Sequence, residues 1–251
     1  MNESMTDGNE PDQARLWDLW AKNYDEFHAH NDPDPVVRFL GAVAPEGRFL
    51  EFGVGTGRIA LPLAGSGRGV DGIDISPEMS RALIQKRGDS DLEVIVGDMA
   101  EYRHSPVYAC TYIVYGALYS ITSQEKQVEC MARAAESLAP GGYLVVEGYV
   151  PHPGILRPSR NLSLRNVRED GLSVSASDAD ASTQRISFLE LDFAASGVKT
   201  LPVEQRYVWP SELDLMARMA GLRLKSRVGD YDLRSFIRTS ERHVSVYEKA
   251  A

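Results

Sequence analysis

The chain has 251 residues, 43% hydrophobic and 25% charged, which suits one large α/β domain and is typical of a globular protein. Its 36 acidic and 27 basic residues give a net charge of −9, which argues against nucleic acid or an anionic membrane as the main partner, since both would be repelled at long range. No stretch approaches the ~18 consecutive apolar residues of a membrane-spanning helix.

The first twelve residues contain four acidic side chains and no basic one. This composition predicts a solvated, disordered tail over residues 1–12 and does not fit a secretory signal. The two cysteines, Cys110 and Cys130, lie in a strand-like and a helix-like apolar run and are expected to be buried free thiols. These features together predict a cytoplasmic protein.

Helical and strand-like runs alternate through the first 150 residues. Helices are expected at residues 16–27, 36–43, 58–64, from 77 onward and at 123–138. Strands are expected at residues 48–52, 69–75, 92–96, 111–115 and 143–150. Because this rhythm is that of repeated strand–helix–strand units, it predicts a parallel, doubly wound sheet.

The alternation stops between residues 151 and 209. Polar and apolar residues alternate there, with turn residues at 169–171 and 196–197, which predicts an antiparallel sheet with one buried face. A helix from Pro210 and two strands at 223–227 and 243–248 close the chain. We therefore expect one core, residues 13–150 and 210–251, and an insert, residues 151–209, that forms a lid over the site.

A glycine turn follows the first strand directly. Glu51 is followed by Gly53, Gly55 and Gly57 in the pattern G-x-G-x-G. Glycine permits a positive φ and lets a ligand approach the backbone. Dinucleotide folds use G-x-G-x-x-G, so the spacing disfavours an NAD-dependent oxidoreductase. The acidic residue before the turn favours a ligand with a cationic amino group.

Acidic residues also follow the next two strands. Asp74, with Ile75 beside it, ends the second strand and can accept hydrogen bonds from both ribose hydroxyls. Asp98 ends the third strand and can accept from an adenine amine, with Met99 packed on the ring. Open α/β sheets bind ligands at the carboxyl ends of their strands, so these residues predict one nucleotide site.

These motifs resemble those of the class I S-adenosylmethionine-dependent methyltransferases. The matching segments are ExGxGTG at 51–57, GDM at 97–99 and LxPGGxLVVE at 138–147, within a resemblance that covers about residues 24–150. The remainder is similar to bacterial small-molecule methyltransferases, often of secondary metabolism. The resemblance implies a seven-stranded Rossmann-like sheet with its last strand antiparallel, and S-adenosylmethionine as cofactor.

The resemblance also implies a role for each matching residue. It carries Glu51, Gly53 and Gly55 to the methionine end of the cofactor, Asp74 to the ribose, and Asp98 with Met99 to the adenine. Residues 24–27, YDEF, match the family's YDxx element, in which Tyr24 would cover the cofactor. Gly57, Ile75 and Tyr115 complete the expected cofactor site.

The sequence departs from one group of methyltransferases after the fourth strand. Residues 112–121 read YIVYGALYSI and contain no NPPY-type or DPPY-type motif. Enzymes that methylate nucleobase amines commonly carry such a motif, so its absence speaks against a nucleic-acid substrate. Without such a motif, no residue in this segment indicates which acceptor atom is methylated.

Methyl transfer requires alignment of donor and acceptor, exclusion of water and, for some acceptors, removal of a proton. The candidate catalytic residues are His28, His152 and Tyr119. The candidate substrate contacts are Trp20, Tyr149 and Arg206. His28 and His30 with nearby aspartates have the residue types of a metal site, but their spacing matches no ligand set, so no metal is expected.

The sequence therefore predicts methyl transfer to N, O or C of a small-molecule acceptor, by an enzyme that could act as a homodimer. The alternative is a non-catalytic S-adenosylmethionine-binding sensor or scaffold. The glycine turn would be the same in both, so an open acceptor pocket near the insert is what would distinguish them.

Overall fold

The computed structural model describes residues 12–29, 31–103, 105, 107–151, 161–195 and 197–251. The strands in this part of the chain are β1 (Phe49–Phe52), β2 (Val70–Asp74), β3 (Leu92–Val96), β4 (Tyr108–Ile113), β5 (Leu138–Tyr149), β6 (Asn161–Arg168), β7 (Gly171–Asp180), β8 (Arg185–Ala194), β9 (Gly197–Arg206), β10 (Leu222–Val228) and β11 (Arg242–Lys249). The helices are α1 (Gln13–Ala21), α2 (Tyr24–Phe27), α3 (Asp34–Val43), α4 (Ala60–Gly65), α5 (Pro77–Lys86), α6 (Gln124–Ser137) and α7 (Pro210–Met219), with a 3-10 turn at Ala117–Ser120.

Seven strands form the central sheet in the order β10-β11-β5-β4-β1-β2-β3. Strands β1 to β5 are parallel, whereas β11 runs antiparallel to both β5 and β10. Every residue of β1 and β2 is buried, as expected for parallel strands covered by helices on both faces. The predicted doubly wound, seven-stranded sheet with an antiparallel last strand is confirmed.

Helices on the two faces of the sheet form two apolar clusters. One cluster holds Met131 of α6 and Leu213 of α7, and the other holds Leu40 of α3 and Leu63 of α4. The two cysteines lie one in each cluster as fully buried free thiols, as predicted, and burial raises the pKa of both. No helix in the described ranges is long and apolar enough to span a membrane.

Several helix boundaries differ from those predicted. The helix expected at 16–27 is two helices, α1 and α2, separated by a turn at Lys22 and Asn23. The helix after the glycine turn begins at Ala60 and not at Arg58, because Gly57 has φ +86° and is still part of the turn. Asp12, which was assigned to the tail, accepts a hydrogen bond from the Arg15 amide as the N-cap of α1, while residues 1–11 lie outside the described residues.

Strands β6 to β9 form a separate antiparallel sheet in chain order, as the alternating pattern of the insert predicted. One of its faces packs against α1, where Leu201 of β9 contacts a cluster with Trp20 and Met79. The Trp20 indole also donates to the Pro202 carbonyl at 3.0 Å. The insert therefore rests on the N-terminal helix.

Candidate functional site

A cavity of about 220 Å3 lies at the carboxyl edge of the central sheet, where the glycine turn and the ends of β2, β3 and β4 converge. The chain runs from β1 to β2 and β3 on one side of β1 and then crosses to β4 on the other side, so this is the switch point at which open α/β sheets bind ligands. Side chains from α1, the start of α6 and Gln205 of β9 complete its wall.

The three glycines of the turn have different surroundings. All have positive φ, with values of 74° at Gly53, 55° at Gly55 and 86° at Gly57. A Cβ on Gly55 would meet no atom within 4 Å, whereas on Gly57 it would lie 2.2 Å from the Leu83 side chain of α5. Gly55 thus leaves open space on the cavity side. Gly57, predicted at the cofactor, lies instead against α5.

Asp74 connects the glycine turn to the end of β2. Its two carboxylate oxygens accept from the amides of Gly55 and Ser76, each at 2.8 Å. Burial raises the pKa of Asp74 to about 6, although these two backbone hydrogen bonds oppose the shift. Each oxygen keeps a further lone pair, so the carboxylate can still accept from a ligand hydroxyl. Ile75 lines the cavity beside it.

Glu51 brings a second buried carboxyl group to the cavity. It is 4% exposed, and the Tyr112 hydroxyl donates to it at 3.0 Å. Burial raises the pKa of Glu51 to about 8, against opposing effects of the Tyr112 hydrogen bond and the Arg58 charge. At neutral pH the free protein therefore holds this carboxyl group largely protonated, and a cationic ligand group would ionise it.

Arg58, which the sequence analysis did not single out, faces the same space. Its guanidinium carbon lies 3.6 Å from the centre of the Tyr115 ring and 5.9 Å from that of Tyr24. Its Nε and Nη1 atoms are buried and find no hydrogen-bond partner among the described residues. Since a buried guanidinium is costly without an acceptor, Arg58 is suited to bind an anionic ligand group.

Tyr115 is held in an uncommon backbone conformation. Its φ is +53°, in the left-handed region, and its amide donates to the buried Glu147 carboxylate of β5. Burial raises the pKa of Tyr24 to about 12, so both cavity tyrosines are neutral at physiological pH. These two rings and Arg58 form one wall of the cavity.

The opposite end of the cavity contains Asp98 and Met99, as the sequence analysis predicted for the adenine. One Asp98 oxygen accepts from the Ala100 amide at 2.8 Å, and the other lies 3.7 Å from the Lys126 ammonium. Lys126 and residues 120–123 also line this end and were missed. Residues 120–123 belong to the segment between β4 and α6, which has no recognisable motif, and Lys126 lies in the first turn of α6.

The N-terminal helices are fastened over the glycine turn by two aspartates. Asp18 accepts from the Ser76 hydroxyl at 2.5 Å and the Glu78 amide at 3.2 Å at the start of α5. Asp25 accepts from the Thr56 hydroxyl at 2.5 Å and pairs with Lys86 at 2.7 Å. This arrangement brings Gln13, Trp17 and Tyr24 to the cavity wall.

Several predicted substrate and catalytic residues are not on the cavity wall. Trp20 packs on Phe27, with ring centres 5.1 Å apart, beneath the insert. The fully buried Tyr119 hydroxyl lies 3.1 Å and 3.0 Å from the Tyr149 and Val208 carbonyls. Its hydrogen-bonding capacity is thus used inside the core.

Arg206 and the predicted histidines also do not line the cavity in the described part of the chain. Arg206 is 6% exposed and pairs with Glu212 of α7 at 2.8 Å, which joins the insert to the core and does not face the cavity. His28 lies beside the cavity, its ring 4.5 Å from that of Tyr24. His152 and His30 lie outside the described residues. Within the described ranges no three potential ligands from His, Cys, Asp or Glu are grouped to hold a metal ion.

A sheet of this order with one antiparallel strand beside β5, and a glycine turn facing acidic residues at three strand ends, defines a methyltransferase of the Rossmann-like class. A family profile described as "Methyltransferase domain" matches residues 49–142. The CcbJ methyltransferase from Streptomyces caelestis is 32% identical, with a TM-score of 0.89 over 96% of this chain and 100% of that chain. The chain belongs to the S-adenosylmethionine-dependent methyltransferases.

Other relatives are more distant. The cypemycin N-terminal methyltransferase of a Streptomyces species is 24% identical over 202 residues, 80% of this chain and 82% of that protein. CalS10, an amino pentose methyltransferase from Micromonospora echinaspora involved in calicheamicin biosynthesis, is 17% identical and has a TM-score of 0.70 over 91% of this chain and 97% of that chain. CalS10 thus shares the fold.

Proposed function

We propose that this protein transfers the methyl group of S-adenosylmethionine to N, O or C of a small-molecule acceptor. The observation that carries the proposal is that one cavity holds both the buried Glu51 carboxyl group and two buried nitrogens of Arg58 that have no hydrogen-bond partner in the described part of the chain. An amino-acid end group needs two partners of opposite charge, an anion that accepts from its ammonium and a cation that donates to its carboxylate. The names of the relatives support a small acceptor, since CalS10 is described as acting on an amino pentose.

In this proposal each cavity residue meets one part of the cofactor. Glu51 and Arg58 bind the amino-acid end, with Gly53 and Gly55 giving the backbone approach. Asp74 accepts from the ribose hydroxyls, and Asp98, Met99 and Ile75 surround the adenine. When bound, the cofactor supplies a methyl group on a positively charged sulfur.

The protein's own contribution is alignment and exclusion of water. Tyr24 and Tyr115 cover the methionine end with aromatic faces, which favour positive charge. Among the predicted bases, His28 adjoins a cavity residue, so we keep it as the candidate to accept a proton from the acceptor. Tyr149 acts indirectly, since its hydroxyl donates to the Gln205 side chain at 3.1 Å.

Calorimetric titration with S-adenosylmethionine and with its homocysteine product tests the cofactor site. The acceptor class is tested by incubating the enzyme with a methyl-labelled cofactor and an extract of the producing organism, separated by ultrafiltration into small and large molecules. We expect label in the small-molecule fraction, identified by mass spectrometry. Label confined to retained nucleic acid or protein would overturn the small-molecule proposal, and a protein that binds cofactor but labels nothing would favour a sensor.

Asp74→Ala is expected to weaken cofactor binding by about 1.5–3 kcal/mol, the scale of a hydrogen bond to a charged group. The rate at saturating cofactor should change less, because the ribose does not react. The matched control is Asp91→Ala, which removes a surface carboxylate paired with Arg48 and should leave affinity unchanged. Calorimetry gives the affinity, and a rate constant that collapses while affinity holds would assign Asp74 another role.

Gln205→Leu tests the insert as a cover for the acceptor. Gln205 lines the cavity from β9, and its amide nitrogen faces the backbone at Gly116. We expect cofactor affinity to stay the same and methyl transfer to the native acceptor to fall at least roughly tenfold, since a polar contact in a closed site is lost. The neighbouring Glu204→Gln, on the opposite face of β9, is the control. Equal loss in both variants would contradict an acceptor role for Gln205.

A further inference from the structure

The strand register of the insert gives its two faces very different side chains. Residues paired across neighbouring strands point to the same face. One face carries three rows of four side chains, and these rows are Val167-Leu172-Phe193-Val198, Leu164-Val174-Leu191-Thr200 and Leu162-Ala176-Leu189-Pro202. We call this the apolar face. It contains eleven apolar side chains, one threonine and no ionisable group.

A sheet that packs only on its own domain is expected to bury its apolar face and expose its polar face. In the insert the apolar face is exposed and the polar face is buried. On the apolar face Leu164 is 62% exposed, Val167 67% and Phe193 38%. On the opposite face, toward α1, Ser173, Ser175 and Glu190 are buried. Single exposed apolar residues need no explanation, but a contiguous face of this kind marks an interaction surface.

We propose that two copies of this chain form a dimer by packing their apolar faces together, sheet on sheet. Because each copy presents the same uncharged surface, the contact is self-complementary about a twofold axis and closes on itself. This inference is independent of the proposed methyl transfer.

The size of the surface fits such a dimer. With strands about 4.8 Å apart and a rise of about 3.3 Å per residue, the three rows and a rim one residue deep cover roughly 650 Å2 per copy, or about 1,300 Å2 in total. This is within the range of standard stable interfaces, which have an apolar centre and a polar rim.

The distribution of charge makes the apolar face a better place for two copies to meet than the rest of the surface. Each copy carries a net charge of −9, so two copies repel one another wherever acidic residues would meet. The apolar face keeps charged side chains out of the contact, while Asp178 and Glu204 lie in the next row at its rim.

Sedimentation velocity on the full chain tests the proposal at micromolar concentrations. We expect a species of twice 27.7 kDa for the wild type. Phe193→Lys, in the inner strand β8, and Leu164→Lys, in the edge strand β6, should each give monomers, because a lysine would be buried without a partner. The control is Leu215→Lys on α7, a position that is 55% exposed and should leave the dimer intact.

Circular dichroism and binding of the homocysteine product establish that each variant is folded, and Val198→Lys replaces Phe193→Lys if the latter is not. A monomeric wild type, or dimers that persist in both face variants, would overturn the proposal. Loss of the dimer only in Leu164→Lys would also overturn it, since that result indicates edge-to-edge pairing of β6. Methyl transfer is measured separately, so failure of the dimer and failure of the proposed function are distinguishable.

Discussion

Gly55→Val is expected to abolish cofactor binding, with affinity lost by more than roughly a hundredfold. The reason is steric. A Cβ on Gly55 would meet no protein atom within 4 Å, so the added side chain would project into the open space of the cavity that the ligand has to occupy. Titration with S-adenosylmethionine and with its homocysteine product measures the loss. Retained micromolar affinity would show that the site has been misplaced.

Gly88→Val is a closely matched control for backbone strain. Gly88 has the same φ of +55° as Gly55, and a Cβ there also meets nothing within 4 Å, but Gly88 is exposed at the end of α5. Both variants should lose about 1–3 kcal/mol of unfolding free energy, since a side chain is strained in this region. Only Gly55→Val should lose binding, and equal effects of both on affinity would attribute the loss to strain.

Glu51→Gln is expected to change affinity and stability in opposite directions. The pKa of Glu51 is raised from 4.5 to about 8 in the folded, free protein. The stability that this group contributes is therefore fully present below pH 4.5 and is lost as pH rises toward 8, by at most ~1.4 kcal/mol per pH unit. A glutamine cannot ionise, so the free variant should become more stable than the wild type near pH 8, as measured by denaturant unfolding.

The same variant should bind the cofactor more weakly, because the amide cannot pair with an ammonium group. In the wild type, binding should release close to one proton at pH 7, as the cationic ligand ionises a carboxyl group whose pKa is about 8. Calorimetry in two buffers of different ionisation enthalpy counts this proton, and Glu51→Gln should release none. Equal release in both proteins would assign the proton to another group.

The local features of the cofactor site could be predicted because they depend on short stretches of sequence. The glycine turn and the carboxylates of Glu51, Asp74 and Asp98 lie at or next to the carboxyl ends of β1, β2 and β3, and the ends of parallel strands meet at one edge of the sheet. Strand–helix alternation fixed the doubly wound sheet, and period-two patterning fixed the antiparallel insert. In each case the pattern of neighbouring residues along the chain was sufficient for the prediction.

Contacts between distant segments could not be predicted in this way. Tyr119 follows β4 in sequence like a site residue, yet its hydroxyl lies against the carbonyls of Tyr149 and Val208 in the core. Arg206 looks like a ligand contact, but its partner is Glu212 of α7. In the sequence Arg58 resembles an ordinary charged residue after a glycine turn, but in the structure its buried nitrogens have no acceptor among the described residues.

The sequence by itself therefore determined the sheet, the glycine turn and the acidic strand ends, since these follow from backbone geometry and the periodicity of neighbouring residues. The tertiary structure alone decided which polar side chains remain available to a ligand. That availability depends on which donors and acceptors are already paired across the fold, and pairings such as Asp18 with Ser76 or Arg206 with Glu212 join residues from separate elements. A buried polar group is committed to the fold once it has such a partner, and is available for binding when it faces a cavity without one.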